Sequence, residues 1–320
     1  MSLRLAQWMS AFALLLGLGT AGASCTTYRP AVVPFAPPPR SAELGNTWDD
    51  VLAHPTEIQH EALVTGDVGV DASLLLDLDH PNAKGVKNDT RWVPVIAHLV
   101  RHPTRGDMLV DTGFDHSFAQ RGRGNLTGLA VPATWFMTLF HQKPDQGLGP
   151  QLEARQAHVN SVFFTHLHVD HTAGVPDLPR EIRFVAGPGT LDDSYVAESN
   201  WVVHLSHLDH VKQVEELDFA HATAMPPLGP SIDVLGDGSF WAISTPGHSR
   251  GHVSYVLNTT HGPILLVGDA SHTRWGWEHD VEPGKAVDHD RAKQSLNELR
   301  AFVAKYPKTR VYFGHELAAE

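Results

Sequence analysis

Four side chains able to donate an electron pair to a divalent cation lie within six residues. They are His166, His168, Asp170 and His171, in the run Val162-Phe163-Phe164-Thr165-His166-Leu167-His168-Val169-Asp170-His171. If the apolar residues ahead of them form a strand, His166 and His168 stand two apart in extended backbone and point to the same side. A turn into a helix at Asp170 and His171 would aim both at a neighbouring position. Three further donors follow short apolar runs: His248 in Thr245-Pro246-Gly247-His248, Asp269 in Gly268-Asp269, and His315 in Gly314-His315. Imidazole and carboxylate are ligands for zinc and related ions. Coordination to zinc brings the pKa of water from 15.7 to about 7, which makes hydroxide available for hydrolysis at neutral pH.

The elements that must position these residues are short apolar segments. Trp92 to Val100, Met108 to Val110, Val162 to Phe164, Phe240 to Ile243, Val253 to Leu257, Ile264 to Val267 and Val311 to Phe313 read as strands, several of them bounded by Gly, Pro or Asp. Asp237-Gly238 fits a hairpin turn. Ala292, Leu296, Leu299 and Val303 follow helical spacing between Asp288 and Tyr306, with acids at the start, Lys305 near the end and Pro307 as a stop. Strands and helices are mixed, so the fold class is α+β. In layered architectures of this kind, active sites collect outside strand ends, where rigid elements deliver side chains to loops that water can reach. The seven donors are therefore predicted to converge.

Composition narrows the chemistry. The chain has 320 residues, 42% hydrophobic and 19% charged, which excludes disorder and collagen-like repeats. Lys plus Arg number 24 against 36 Asp plus Glu, a formal charge of -12 that argues against a nucleic-acid partner. There are 22 histidines and one cysteine, so a metal site must rest on imidazole and carboxylate, and a disulfide framework is excluded.

The order H-x-H-x-D-H, then His, then Asp, then His resembles the metallo-β-lactamase superfamily over about residues 92 to 316. That resemblance implies an αβ/βα sandwich with the site along one edge and two Zn2+ ions. His166, His168 and His248 would hold one ion, Asp170, His171 and His315 the second, and Asp269 would bridge them. Asp111, in Leu109-Val110-Asp111-Thr112-Gly113, would orient a ligating histidine from behind. Within the superfamily, the segments Thr245 to His252, Asp269-Ala270-Ser271 and Phe313-Gly314-His315 resemble the N-acyl homoserine lactonase branch. The implied activity is opening of a lactone or related cyclic ester by a metal-bridging hydroxide, with Asp170 carrying the proton to the leaving oxygen. That branch generally has Tyr three residues after the bridging Asp, where it touches the substrate carbonyl; this chain has His272, a candidate catalytic residue that puts the lactone substrate in question. Two alternatives use the same metals, a β-lactamase and a small-molecule phosphodiesterase. An alternative of another class is a non-catalytic metal-binding envelope lipoprotein. Gly247-His248-Ser249-Arg250-Gly251 also fits the G-x-S-x-G nucleophile pattern, but that pattern demands a helix directly afterwards, and Val253, Tyr255 and Leu257 alternate like a strand.

Residues 1–24 carry Arg4, an apolar stretch from Ala11 to Leu18 and small residues from Gly19 to Ser24, the layout of a secretory signal peptide. Cys25 follows at once, and the resemblance is to a bacterial lipoprotein signal with lipidation at that cysteine; Ala21-Gly22-Ala23 also suits ordinary cleavage to a soluble product. Either route implies export to the cell envelope, with membrane contact only through an anchor at Cys25. Residues 25–45, rich in proline, read as a semi-rigid spacer, and 46–320 as one hydrolase domain. Trp135, Phe136, Met137, Leu139 and Phe140 are expected mainly in a core, Trp275 or Trp277 could wall the substrate site, and His204, His207 and His210 are expected on a solvated helix or lid.

Overall fold

The computed structural model describes residues 30–41, 44–121, 124–126, 139–192, 205–209 and 211–318. Two sheets dominate. The first runs in the order β1 (Ala31–Pro34), β8 (Gln213–Glu216), β7 (Arg183–Ala186), β6 (Val159–Phe163), β4 (Gly106–Val110), β3 (Thr90–His102), β2 (Gln59–Asp71) and β5 (Leu139–His141). The second runs β14 (Arg310–Tyr312), β13 (Gly262–Leu266), β12 (Val253–Thr259), β11 (Phe240–Ser244), β10 (Pro230–Asp233) and β9 (Thr223–Ala224). The helices are α1 (Trp48–Leu52), α2 (Ala72–Leu75), α3 (Ser117–Arg121), α4 (Leu148–Ala154), α5 (Val169–Thr172), α6 (Arg274–His279) and α7 (His289–Lys305).

The period-two rule explains why several strands are apolar throughout. In β11, Phe240 and Ala242 face the first sheet, while Trp241 and Ile243 face the layer of α7 and α1. In β4, Met108 and Val110 face inward, and Leu109 packs on the other side with α4. Burying a Val, Leu or Phe side chain contributes roughly 1.5–3 kcal/mol, so a strand covered on both faces has no place for polar alternation. The layers run helix, sheet, sheet, helix, the predicted αβ/βα sandwich. Phe163, Phe240 and Tyr255 meet edge to face or tilted between the sheets, with ring centroids 5.0–6.2 Å apart.

All seven predicted strands are present, with ends shifted by at most four residues, and the predicted helix spans His289–Lys305. Asp237-Gly238 lies within the connection between β10 and β11, whose strands end at Asp233 and resume at Phe240, so the hairpin is longer than a two-residue turn. The spacer expectation for 25–45 is corrected for its described part. Ala31–Pro34 pairs in parallel with β8 as an edge strand, and Phe35 is buried in the core between the sheets. Proline confines this segment to an edge, where absent N–H groups cost nothing, but does not keep it off the domain. The signal segment, Cys25, Trp135, Phe136, Met137, His204 and His210 lie outside the described residues. No helix among the described residues is long and apolar enough to cross a membrane.

Candidate metal centre

Five strand ends supply the site from one rim of the sandwich. β6 runs out at Phe163 and delivers His166 and His168, and the single turn of α5 presents Asp170 and His171. β4, a parallel neighbour of β6, ends at Val110, directly before Asp111. From the second sheet, β11 leads to His248, β13 to Asp269, and β14, parallel to β13, to His315. The two sheets are stitched just behind the site, where Val253 N–H donates to Thr165 O at 2.9 Å and the Tyr255 hydroxyl donates to Phe164 O at 2.8 Å.

Donor atoms of His166, His168, His248 and Asp269 lie within 4.8 Å of one another, as do those of Asp170, His171 and His315. Asp269 Oδ2 stands 3.6 Å from His166 Nε2, 3.4 Å from His248 Nε2 and 3.5 Å from His171 Nε2, and Oδ1 stands 3.7 Å from His315 Nε2. His315 Nε2 is 3.3 Å from Asp170 Oδ2. Two ligands each about 2.0–2.2 Å from a tetrahedral zinc are separated by roughly 3.3–3.6 Å, so most of these spacings are those of neighbouring ligands rather than of strong hydrogen bonds. His248 Nε2 and His168 Nδ1, at 3.0 Å, are closer.

Unsatisfied atoms point the same way. His166 Nε2, His171 Nε2 and Asp269 Oδ1 are fully buried and have no hydrogen-bond partner, a state that costs about 1–3 kcal/mol for each neutral group and more for a charge. Three such groups facing one another fit a centre built for cations. The opposite nitrogens are tied down: His171 Nδ1 is 2.8 Å from Asp111 Oδ2, His315 Nδ1 is 2.9 Å from Pro94 O, and His272 Nδ1 is 2.9 Å from Leu75 O. A carbonyl only accepts, so Nδ1 of His315 and His272 carries the hydrogen, and Nε2 of each ring faces Asp269.

Asp111 needs an unusual backbone to do this. Its φ is 56°, in the left-handed region that Asp tolerates better than most residues. That turn brings its carboxylate back onto Thr165 N at 2.8 Å, Thr165 Oγ1 at 2.8 Å and His171.

Burial divides the imidazoles into two classes. It holds His168 neutral down to about 4 and His252 down to about 3, and pushes His166 and His248 well below the usual range. Burial also opposes the charged form of His315, but the carboxylates of Asp269 and Asp170 outweigh it and raise that group to about 10. His171 is raised well above its ordinary value by Asp269, Asp111 and Asp170, against the same penalty. Asp170 and Asp269, though buried, are held below the usual carboxylate range by the neighbouring imidazoles. Protons on His171 and His315 thus balance carboxylates that cations would otherwise neutralise.

The structure brings all seven predicted donors together, with Asp111 behind His171. It also places His272 inside the cluster: Nε2 is 3.2 Å from Asp269 Oδ2, and the ring stacks on His315 at 5.6 Å. Two participants were not singled out from the sequence. Thr165 bridges Asp111 and His166, and the hint was its place directly before His166. His252 packs 5.4 Å from His166, its Nδ1 2.9 Å from Thr245 Oγ1 and its Nε2 buried without a partner. Trp277 packs edge to face on Phe313, and Trp275 stacks on His279. His207 is buried, with Thr172 Oγ1 at 2.8 Å and Asn125 Oδ1 at 3.0 Å, rather than on a solvated face. Ser249 is buried, and strand β12 rather than a helix follows it.

The family model of the metallo-beta-lactamase superfamily matches residues 90–315. The chain is 28% identical over 230 residues to the N-acyl homoserine lactonase AttM of Agrobacterium fabrum, which covers 70% of this chain and 82% of that protein. Among solved structures, an N-acyl homoserine lactone hydrolase with N-hexanoyl-L-homoserine at its catalytic metal centre superposes with a TM-score of 0.63 at 21% identity, covering 82% of this chain and 94% of that one. AidC, a dizinc quorum-quenching lactonase, superposes with a TM-score of 0.56 at 14% identity, covering 82% and 89%. At these identities the superpositions show the fold, and the family match over residues 90–315 shows the family: the chain belongs to the metallo-β-lactamase superfamily and is a metal-dependent hydrolase.

Proposed function

We propose that the centre holds two zinc ions and opens lactone rings, with N-acyl homoserine lactones as the substrate class. The observation that carries this reading is the set of buried, unpartnered donors His166 Nε2, His171 Nε2 and Asp269 Oδ1 facing one another at a rim whose donor order matches the family. His166, His168 and His248 would hold one ion, Asp170, His171 and His315 the other, with Asp269 spanning both. Two such ions supply hydroxide at neutral pH and polarise the scissile carbonyl. Asp170 is the most open of the carboxylates, its side chain 21% exposed against 3% for Asp269, and so is the group able to pass a proton to the departing alkoxide. Asp111 holds the His171 ring in place. His272 differs from a tyrosine at its position: Nδ1 is 2.9 Å from Leu75 O and Nε2 is 3.2 Å from Asp269 Oδ2, so the ring is held among the donors and brings no hydroxyl to a substrate carbonyl.

The test uses the full chain, with metal content measured before and after chelation, against N-acyl homoserine lactones, nitrocefin and p-nitrophenyl phosphodiesters. Lactone opening should vanish with the zinc and return on reloading. Metal-dependent turnover confined to the β-lactam or the phosphodiester would overturn the substrate assignment, and zinc binding without turnover of any panel member would favour a storage protein. The leader pattern of residues 1–24 and Cys25 support an exported, envelope-located enzyme; fractionation of cells expressing the native chain and Cys25→Ser tests that placement.

A further inference from the structure

A second group of metal-compatible side chains lies apart from the seven donors and shares no residue with them: Asp77, Glu282 and His289, whose donor atoms fall within 4.8 Å of one another. We propose that these three side chains form a separate site for one divalent first-row cation, zinc being the first choice, which ties together the segments behind the metal centre.

Glu282 carries the argument. It is 5% exposed, and its Oε2 is buried with no hydrogen-bond partner. Its Oε1 stands 3.7 Å from His289 Nδ1, and Asp77 Oδ2 stands 3.9 Å from the same nitrogen. Both distances exceed a hydrogen bond and suit ligands arranged around an ion. Asp77 Oδ1 is already occupied by Asp79 N–H at 3.0 Å, which leaves Oδ2 free to turn inward. His80 comes near, Nε2 to Glu282 Oε2 at 4.0 Å, but its Nδ1 accepts from Asn82 N–H. A neutral His80 therefore carries its hydrogen on Nε2 and offers Glu282 a donor, not a ligand lone pair. A protonated His289 alone would leave two carboxylates sharing one positive charge, with a buried oxygen still unpaired, whereas a divalent ion balances both. One imidazole with two carboxylates, and a His289 side chain 46% exposed that leaves room for water, matches zinc or manganese better than calcium.

Two of the three residues belong to segments that already hold the rim, and the third is tied to one of them. Asp77 follows α2, whose Leu75 carbonyl receives His272, and its N–H donates to Glu282 O at 3.0 Å. His289 opens α7, directly after Val287 and Asp288, whose N–H groups donate to His248 O at 3.3 Å and Gly247 O at 3.0 Å. An ion there would brace the supports of His272 and His248 without touching substrate.

The experiment is metal counting on the full chain, stripped with chelator and reloaded with zinc, in native protein, Glu282→Gln, His289→Asn and Asp269→Ala. Native protein should hold one ion per chain more than Glu282→Gln, and His289→Asn, whose exposed side chain makes it the safer variant to fold, should show the same deficit. Asp269→Ala should keep this ion while losing those of the rim. The zinc-dependent part of the native Tm should shrink in both site variants, whose Tm in chelator stays near that of native protein. Equal zinc content in native, Glu282→Gln and His289→Asn would overturn the site, whatever the count at the rim. So would a Tm loss in those variants that is the same with and without zinc.

Discussion

Asp111 is the residue through which the first sheet steers the metal centre, because one carboxylate fixes both the Thr165 loop and the His171 ring. Groups that orient a ligand in this way are typically worth 10–100-fold in metal affinity. Asp111→Asn should weaken zinc binding by about that factor with little change in fold, measured by competition with a chromophoric chelator; unchanged affinity would remove Asp111 from the account. Gly314 is fixed by space rather than by charge. A Cβ built there lands on Asp269 Oδ1, and the next atom, Gly268 O, is 3.0 Å away. Gly314→Ala is therefore expected to displace the Asp269 carboxylate, and to lose bound metal and turnover together. Metal analysis beside a lactone assay checks it, and retention of both would show that the loop yields at no cost.

At the scale of elements, α7 joins the site to the outer layer. Asp288 caps it by accepting from Arg291 N–H at 3.0 Å, and its own N–H meets Gly247 O. Loss of such a cap costs about 1 kcal/mol, so Asp288→Ala should lower Tm by about 2–4 °C. The backbone bond to Gly247 survives that change, and kcat should remain within about twofold; a large kcat loss at constant Tm would mean the side chain acts on the site directly. This helix was legible in advance from its periodic Ala292, Leu296 and Leu299, its acidic start and Pro307. β6, β11, β12 and β13 were legible because both their faces are covered, which leaves uninterrupted apolar runs. β2 was not, although it is 13 residues long. Glu61, Thr65, Gly66 and Asp67 interrupt it, a register irregularity falls between Val64 and Gly66, and the pairing with β3 rather than an apolar pattern holds it in place. The first four donors of the centre, His166, His168, Asp170 and His171, were legible for the opposite reason, being local in sequence. The carbonyls of Leu75 and Pro94 that set two ring tautomers were not, since any residue can supply a carbonyl and only the fold says which one does.

At the scale of the whole molecule, acid should act through buried neutral histidines. Burial, helped by the charge of Arg310, holds His60 neutral down to about 4, and His60 Nε2 lies 2.9 Å from His98 Nδ1. Because the folded-state value is below the unfolded one of about 6.5, this contribution is complete above pH 6.5 and is lost as pH falls towards 4. The full effect is up to roughly 3 kcal/mol. His168 and His252, depressed by burial as well, add to it in the same direction once metal is removed. Denaturation midpoints of the chelated chain from pH 8 to 4 should fall below 6.5, and His60→Gln, whose amide can still donate to His98, should flatten part of the slope. A midpoint that is level across this range in the native chain would contradict the neutral assignment.

The seven rim donors are divided, four from the layer of β6 and three from the layer of β11 to β14, so ions bound there as proposed would act as rivets through the seam between two plates. Stripping them should free the plates to slide at that edge before either one melts. Hydrogen exchange at the Val253 amide, whose partner Thr165 O belongs to the other plate, would quicken on chelation while amides in the middle of β12 keep their protection.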